Sequence, residues 1–240
     1  MKILVDTHTH TNASTHAYGS VLENLALAKQ KGLEGVCMTN HAPALPDGAH
    51  LFHFQNCFEL PDYIDGVRLF KGIEANIMGK HGRLDIDEGL QKKMDFIIAS
   101  AHTPCYLPKN EKECTQMWLN VIKNPYVSAL GHSGRMKVQY DYETVIRAAK
   151  EAGKCIEINS YSFRSANGIF AEHCRQIALW CKTLGANIVV SSDAHTPFLI
   201  GEVSAAVAFL EEIEFPEEQI INLNLKRFEE YFENQKGRRD

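Results

Sequence analysis

The chain has 240 residues, 45% hydrophobic and 23% charged, a balance that suits a packed protein and excludes disordered or collagen-like structure. Its 25 Lys and Arg against 30 Asp and Glu leave a formal charge of −5, which argues against non-specific nucleic-acid binding, since that needs an excess of cations. No apolar run approaches a membrane span, and Asp6 interrupts the N-terminus too early for a signal-peptide core, so a cytoplasmic location is expected. Seven cysteines, none in a C-x-x-C pair, read as small buried hydrophobes in a reducing compartment.

No linker or low-complexity segment divides the chain, so residues 1–240 read as one domain. Apolar, β-branched runs at 3–7, 35–39, 68–73, 95–100, 127–130, 155–159 and 187–191 predict seven strands. Several are apolar at consecutive positions, as strands buried on both faces are. Ser20 and Glu23 form a capping-box pattern for a helix that Gly32 can end. Residues 42–66, with Pro43, Pro46 and Pro61, read as a long loop of the functional kind. Asn110 opens a second helix, and Asp141 a third that ends at Gly153. Asn167 opens a long one ending at Gly185, another runs from about 202 to 211, and Pro216 suits the first turn of a last short helix. Residues 236–240 are expected to fray. Strands alternating with helices imply a parallel sheet with right-handed crossovers. In a closed barrel of this kind, reactive side chains sit at the C-terminal ends of the strands.

Eleven histidines are many for this length, and their placement follows that rule. The first strand ends Asp6-Thr7-His8-Thr9-His10; residues two apart on a strand face one side, so His8 and His10 point together. His16 follows in the next loop. Thr39-Asn40-His41 ends the second strand, Gly72-Ile73-Glu74 the third, Ser100-Ala101-His102 the fourth, Gly131-His132 the fifth and Asp193-Ala194-His195 the seventh. One histidine at a strand end is ordinarily a hydrogen-bonded polar residue. Six strand ends bearing His, Asp or Glu on one barrel rim read instead as a metal site. Imidazole and carboxylate without thiolate suit zinc first, with manganese or iron as alternatives. Nine donors exceed the four of one tetrahedral ion, so two or three ions with a bridging carboxylate are required. His50, His53, His81 and His173 read as non-ligands, the first three as candidates for substrate contacts. Asp6 and Asn40 flank ligands and either orient them or make ordinary structural hydrogen bonds. Asn159 ends the sixth strand and Arg164 follows it; both are candidates for substrate binding, because an arginine fork matches phosphate.

Taken in order, H-x-H, a further His, T-N-H, G-x-E, S-x-H, G-H and D-x-H resemble the PHP (polymerase and histidinol phosphatase) superfamily. The resemblance spans nearly the whole chain, and length and spacing are most similar to its YcdX-type phosphatases. It implies a distorted, TIM-like (β/α)7 barrel with the metal site at the C-terminal ends of the strands. It implies three divalent ions: one held by His8, His10, Glu74 and Asp193, one by His16, His41 and His195, and one by Glu74, His102 and His132, with Glu74 bridging. Glu74, Asp193 and His195 would act in catalysis through those ions. The implied activity is hydrolysis of a small phosphorylated metabolite by a phosphomonoesterase. Histidinol phosphatase is the runner-up, and a phosphodiesterase or nuclease stands behind it for want of a basic stripe.

Charge points the same way without the family. Two carboxylates against three divalent ions leave about four positive charges in the pocket, so a phosphate is a natural guest. Three-donor sites leave positions open, and a bridging water ionised near neutral pH would attack phosphorus in line. The amidohydrolase class also resembles this pattern, but it places a modified lysine where Glu74 stands here. A non-catalytic metal-binding protein would close its coordination spheres. The expected partners are a small phosphorylated substrate, with neither nucleic acid nor membrane; a homo-oligomer is compatible with the sequence.

Overall fold

Seven parallel strands follow one another in chain order around a common interior in the computed structural model, which describes residues 1–164 and 168–236. The strands are β1 (Val5–Thr9), β2 (Gly35–Met38), β3 (Tyr63–Ile64), β4 (Val67–Asn76), β5 (Phe96–Ser100), β6 (Ala129–Leu130), β7 (Cys155–Asn159) and β8 (Ile188–Ser191). The helices are α1 (Val21–Gln30), α2 (Leu51–Asn56), α3 (Glu88–Lys93), α4 (Glu111–Ile122), α5 (Tyr142–Glu151), α6 (Tyr161–Arg164), α7 (Ile169–Leu184), α8 (Ser204–Glu212) and α9 (Leu225–Lys236). The seven expected strands are all present, in a TIM-like α/β barrel. The eighth, β3, pairs antiparallel with β4 across Asp65 and Gly66, both at positive φ. That is the two-residue turn an Asp-Gly pair favours. Residues 42–66 therefore hold a helix and half a hairpin instead of an uninterrupted loop.

Local signals explain most helix ends. Ser20 Oγ accepts from Glu23 N while Glu23 Oε2 accepts from Ser20 N, completing the capping box of α1. Asn110 and Asp141 cap α4 and α5 through their side chains. The expected cap Asn167 lies outside the described residues. Pro216 precedes only a 3-10 turn at Glu217–Gln219. The last helix is α9, which begins later and reaches Lys236; residues 237–240, expected to fray, lie outside the described residues. Among the described residues no helix is long and apolar enough to cross a membrane. All seven cysteines are free, and six are buried.

Between β8 and β1 the ladder is thin, with an isolated bridge from Thr9 to Ala194. Asn222 fills the seam: its Nδ2 donates to Val5 O (2.7 Å) and Val190 O (2.6 Å), and its Oδ1 accepts from Val190 N. The segment around Ile220–Asn222 thus serves as a stave between the first and last strands.

Inside the barrel, Val5, Cys37, Phe70, Phe96, Ile98, Ala129, Cys155 and Val189 form an apolar layer, closed from below by Phe228 of α9. Strand alternation then places Glu74 on the stripe of Phe70, and Glu157 and Asn159 on that of Cys155. β1 departs from simple alternation. Asp6 pairs with Val36 and Thr9 with Met38, so β1 carries one extra residue, a bulge. Without it Val5 and His8 would face opposite sides; the bulge turns His8 and His10 inward above Val5, which is what bulges beside functional sites do.

Candidate metal centre

The rim brings all nine expected donors together. His8 stands on β1, His10 directly after it, and Glu74 on β4. His41, His102, His132, Asp193 and His195 follow the ends of β2, β5, β6 and β8, and His16 arrives from the loop after β1. Ring centroids of His10 lie 4.3 Å from His41 and 4.2 Å from His195; His16 lies 4.3 Å from His195 and 5.1 Å from His41. Gly131 permits the approach of His132, because a Cβ there would overlap the Ser100 side chain. His132 (φ +24°) and Asp193 (φ +54°) are two of four non-glycine residues described at positive φ, a strain that concentrates at functional sites.

Glu74 is central and divided. Its Oε2 lies 2.6 Å from His41 Nδ1 and 3.2 Å from His8 Nε2; its Oε1 lies 2.9 Å from His132 Nε2 and 3.3 Å from His102 Nε2. Asp193 is divided too. Oδ1 faces His10 Nε2 (3.3 Å) and His8 Nε2 (3.6 Å), while Oδ2 accepts from Asn159 Nδ2 (3.1 Å) and Arg135 Nη1 (3.2 Å).

The donor chemistry tests whether metals fit. His8 Nε2, His10 Nε2, His41 Nδ1, His195 Nε2 and Glu74 Oε2 are buried with no hydrogen-bond partner. Even the 2.6 Å approach of His41 to Glu74 lacks hydrogen-bond geometry. Buried polar atoms are nearly always satisfied, so a cluster of orphans aimed at one another calls for a cation between them. Four trios have donors within 4.8 Å of one another: His8, His10 and Asp193; His10, His41 and His195; His41, Glu74 and His102; and His16, His41 and Asp47. Metals fit these residues. Asp47, which also contacts His16 Nδ1, is a donor that sequence reasoning missed.

Neighbours fix which nitrogen each ring turns inward. His8 Nδ1 meets Glu157 Oε1 at 2.6 Å, His102 Nδ1 meets Asn76 Oδ1 at 2.7 Å, and His195 Nδ1 meets Asp193 O at 3.0 Å, leaving Nε2 of each for the centre. Glu157 also accepts from His132 N and from Ser191 Oγ. Sequence reasoning passed over it, although a buried acid in step with Cys155 and Asn159 was a usable signal. Asp6 accepts from Ser192 N, Ser192 Oγ and Gly201 N, tying β1 to the chain after β8. Asn40 accepts from Thr11 N and Ser14 Oγ, and Ser14 Oγ in turn accepts from His41 N.

Charge follows from this packing. Burial alone would raise Glu74, but the imidazoles of His8, His41 and His102 overcome it and hold the carboxyl well below its usual range. Asp193 is depressed in the same way, against burial, by His8 and His10. Burial would lower His8, but Glu157, Glu74 and Asp193 hold it well above the usual imidazole value. Burial pushes His10 well below that value against the pull of Asp193, and the nearby imidazoles of His41 and His195 add to the lowering.

A cavity of about 450 Å³ opens onto the centre. His16, His41, His102, His132, Asp193 and His195 contribute to its floor, and Arg135 and Tyr161 to its wall. Asn159 is fully buried and engages Asp193 and Tyr161 N. Arg164 pairs with Glu202 and does not line the cavity. His50 caps α2, His53 meets Asn40, and His173 meets Gly134 O; with the exposed His81, none lines the cavity.

A barrel carrying such a centre defines a class, and residues 6–163 match the PHP domain family. The chain belongs to that family. It is 41% identical over 239 residues to a probable phosphatase of Caldanaerobacter subterraneus subsp. tengcongensis, covering 99% of this chain and 94% of that one. It is 42% identical over 238 residues to a probable phosphatase of Acetivibrio thermocellus, covering 99% and 98%. The fold is shared with a histidinol phosphate phosphatase from Lactococcus lactis, solved with zinc, L-histidinol and phosphate: the TM-score is 0.63 at 17% identity, over 90% of this chain and 95% of that one.

Proposed function

We propose that this PHP-family phosphatase is a phosphomonoesterase with a centre of three divalent ions, zinc in the first place, acting on a small phosphorylated metabolite. The carrying observation is the set of orphaned donors converging beneath an open cavity. His8, His10, Glu74 and Asp193 would hold one ion, His16, His41 and His195 a second, and Glu74, His102 and His132 a third, with Asp47 within reach of the second. Divalent ions held there would supply positive charge to polarise a phosphoryl oxygen and acidify water. The chain's own residues do the rest. Glu74, with imidazoles facing each of its two oxygens, would serve more than one ion. Glu157, Asn76 and the Asp193 carbonyl lock three rings in one tautomer. Arg135, at the cavity wall with Nη1 on Asp193, would offer its remaining donors to phosphate oxygens.

Two measurements test this reading. Metal analysis of gently purified protein should give more than two equivalents per chain; a reproducible single equivalent after reconstitution defeats the three-ion centre. Matched aryl phosphate mono- and diesters, assayed after chelation and metal add-back, should show higher kcat/KM for the monoester. Faster diester cleavage moves the chain to the nuclease reading, and no metal dependence sinks the proposal.

A further inference from the structure

Specificity for the organic half of the substrate is written in the wall of the cavity. Apart from the donors of the metal centre, the wall consists of Leu45, Ala101, Thr103, Arg135, Tyr161 and Leu199. Three of these present only carbon, Thr103 adds a hydroxyl, Tyr161 an aromatic face edged by its hydroxyl, and Arg135 a permanent cation. The guanidinium of Arg135 lies 4.9 Å from the centroid of the Tyr161 ring. Asn159 Oδ1 accepts from Tyr161 N at 3.0 Å, which anchors the start of α6 and with it the ring. Among the described residues the only carboxylate lining the cavity is Asp193, and both its oxygens are engaged: Oδ2 by Asn159 and Arg135, Oδ1 by the imidazoles. Residues 165–167, next along from α6, are Ser, Ala and Asn and carry no acid. Nearby Asp47 is paired with His16.

We propose, resting on the phosphomonoesterase reading, that the organic part of the substrate is an uncharged group with a flat apolar face. It lies along Tyr161 between Leu45 and Leu199, and the cavity discriminates against phosphomonoesters that carry an ammonium group. An aromatic face takes either a flat apolar partner or a cation; Arg135 already supplies the cation to Tyr161, and the ring keeps 43% of its surface open for the flat partner. An ammonium ion drawn into the cavity gives up water, finds no free carboxylate and meets Arg135 at short range; an unpaired charge in such a place is strongly disfavoured. The same wall therefore sets aside histidinol phosphate, the runner-up from the sequence, because its organic half is an amine.

A matched pair of substrates decides the matter: p-tolyl phosphate and 4-(aminomethyl)phenyl phosphate, close in size and differing by one positive charge. The metal-loaded protein should give a kcat/KM at least about tenfold higher for the tolyl ester, the low end of what one mismatched group costs in a pocket. The ammonium group makes its phenol the better leaving group, so any bias in the chemistry runs against this expectation. L-Histidinol phosphate should fall with the slow substrate. Leu199→Glu supplies the missing acid and should shrink the tolyl preference at least about threefold. Tyr161→Ala should lower the ratio of phenyl phosphate to ethyl phosphate turnover. Calorimetric titration with phenylphosphonate and its 4-aminomethyl analogue should repeat the order without catalysis. Equal or faster turnover of the amine ester, or tighter binding of the amine phosphonate, overturns the inference. If no monoester is hydrolysed, the phosphatase reading fails, and the order of phosphonate binding still decides this one.

Discussion

At the lower end of the barrel the inward stripe of β4 presents Phe70; four residues higher, about 13 Å along the strand, the same stripe presents Glu74. β7 repeats the change from Cys155 to Glu157, and β8 from Val189 to Asp193. The lower layer is saturated by its neighbours: Phe228 meets Phe70 edge-on at 5.0 Å and Phe96 at 5.7 Å. Each such side chain contributes about 1.5–3 kcal/mol by leaving water. The upper layer is built of polar donors aimed at one another, and a buried polar group of this kind costs about 1–3 kcal/mol wherever it is left without a partner. The barrel thus keeps its stability at one end and spends part of it at the other, which is how this fold separates framework from site.

The largest expected effect lies at the lower end. Phe228→Ala opens a cavity under the barrel and should cost about 3–5 kcal/mol of stability in denaturant unfolding, while kcat per folded molecule stays within about twofold. A collapse of metal content in the folded fraction would show that the two ends are not independent. At the upper end, Glu74→Gln keeps the volume but removes the charge that two sets of imidazoles share. It should cut kcat by at least about 10²-fold, the scale of losing one major electrostatic stabiliser, and deplete metal at two positions. His16→Ala should deplete mainly one, with partial rescue by excess metal. Full metal and near-normal turnover in Glu74→Gln would remove the bridging assignment.

A smaller effect belongs to the layer between. Glu157 holds His8 Nδ1 and the backbone of His132 together, so Glu157→Gln should weaken metal binding by about 10–100-fold, the usual range for a residue behind a ligand. Chelator competition reads this directly. An unchanged affinity would mean that the bulge of β1 alone orients His8.

Eight of the nine candidate donors were legible because a strand has a period of two and its end is marked by a change from Val, Ile and Ala to His, Asp or Glu; His16, in a loop, was legible only through the family resemblance. The capping box at Ser20 and the caps at Asn110 and Asp141 were legible for a similar reason: each acts within four residues. The bulge in β1 was not, since it is set by the register against β2 and no residue in Asp6-Thr7-His8 announces it. Asn222 gave no signal either; its hydrogen bonds reach 217 residues back to Val5. Arg135 and Tyr161 meet only after β6 and β7 are neighbours. The Asp65-Gly66 turn and the three-residue spacing of Leu225, Phe228 and Tyr231 in α9 are local signals, but the prolines of 42–66 and Pro216 are stronger local signals for a loop and a helix start.

The smallest effect is a pH dependence confined to the upper end. In the metal-free protein three carboxylates hold His8 above its usual value, and Glu74 does the same for His41 against the cost of burial. Both rings therefore hold a proton more readily than a free imidazole does, and a metal ion must displace whatever protons they hold. Affinity should rise with pH by up to about tenfold per unit for each proton displaced, and level off once pH passes the metal-free values. The sign for folding is opposite. A raised histidine stabilises the metal-free chain below its unfolded value of about 6.5, and that contribution fades as pH climbs through the folded one. Chelated protein should accordingly lose a small increment of stability on going alkaline, while loaded protein, whose rings are neutral throughout, should not. The lower layer offers nothing to titrate in this range, since burial holds the Cys155 thiol up at about 12. Proton release on adding zinc to weakly buffered protein, followed with an indicator dye from pH 6 to 9, measures the effect. Release that is absent at pH 7 would mean that His8 and His41 are already neutral, and that the carboxylates around them do less than their distances imply.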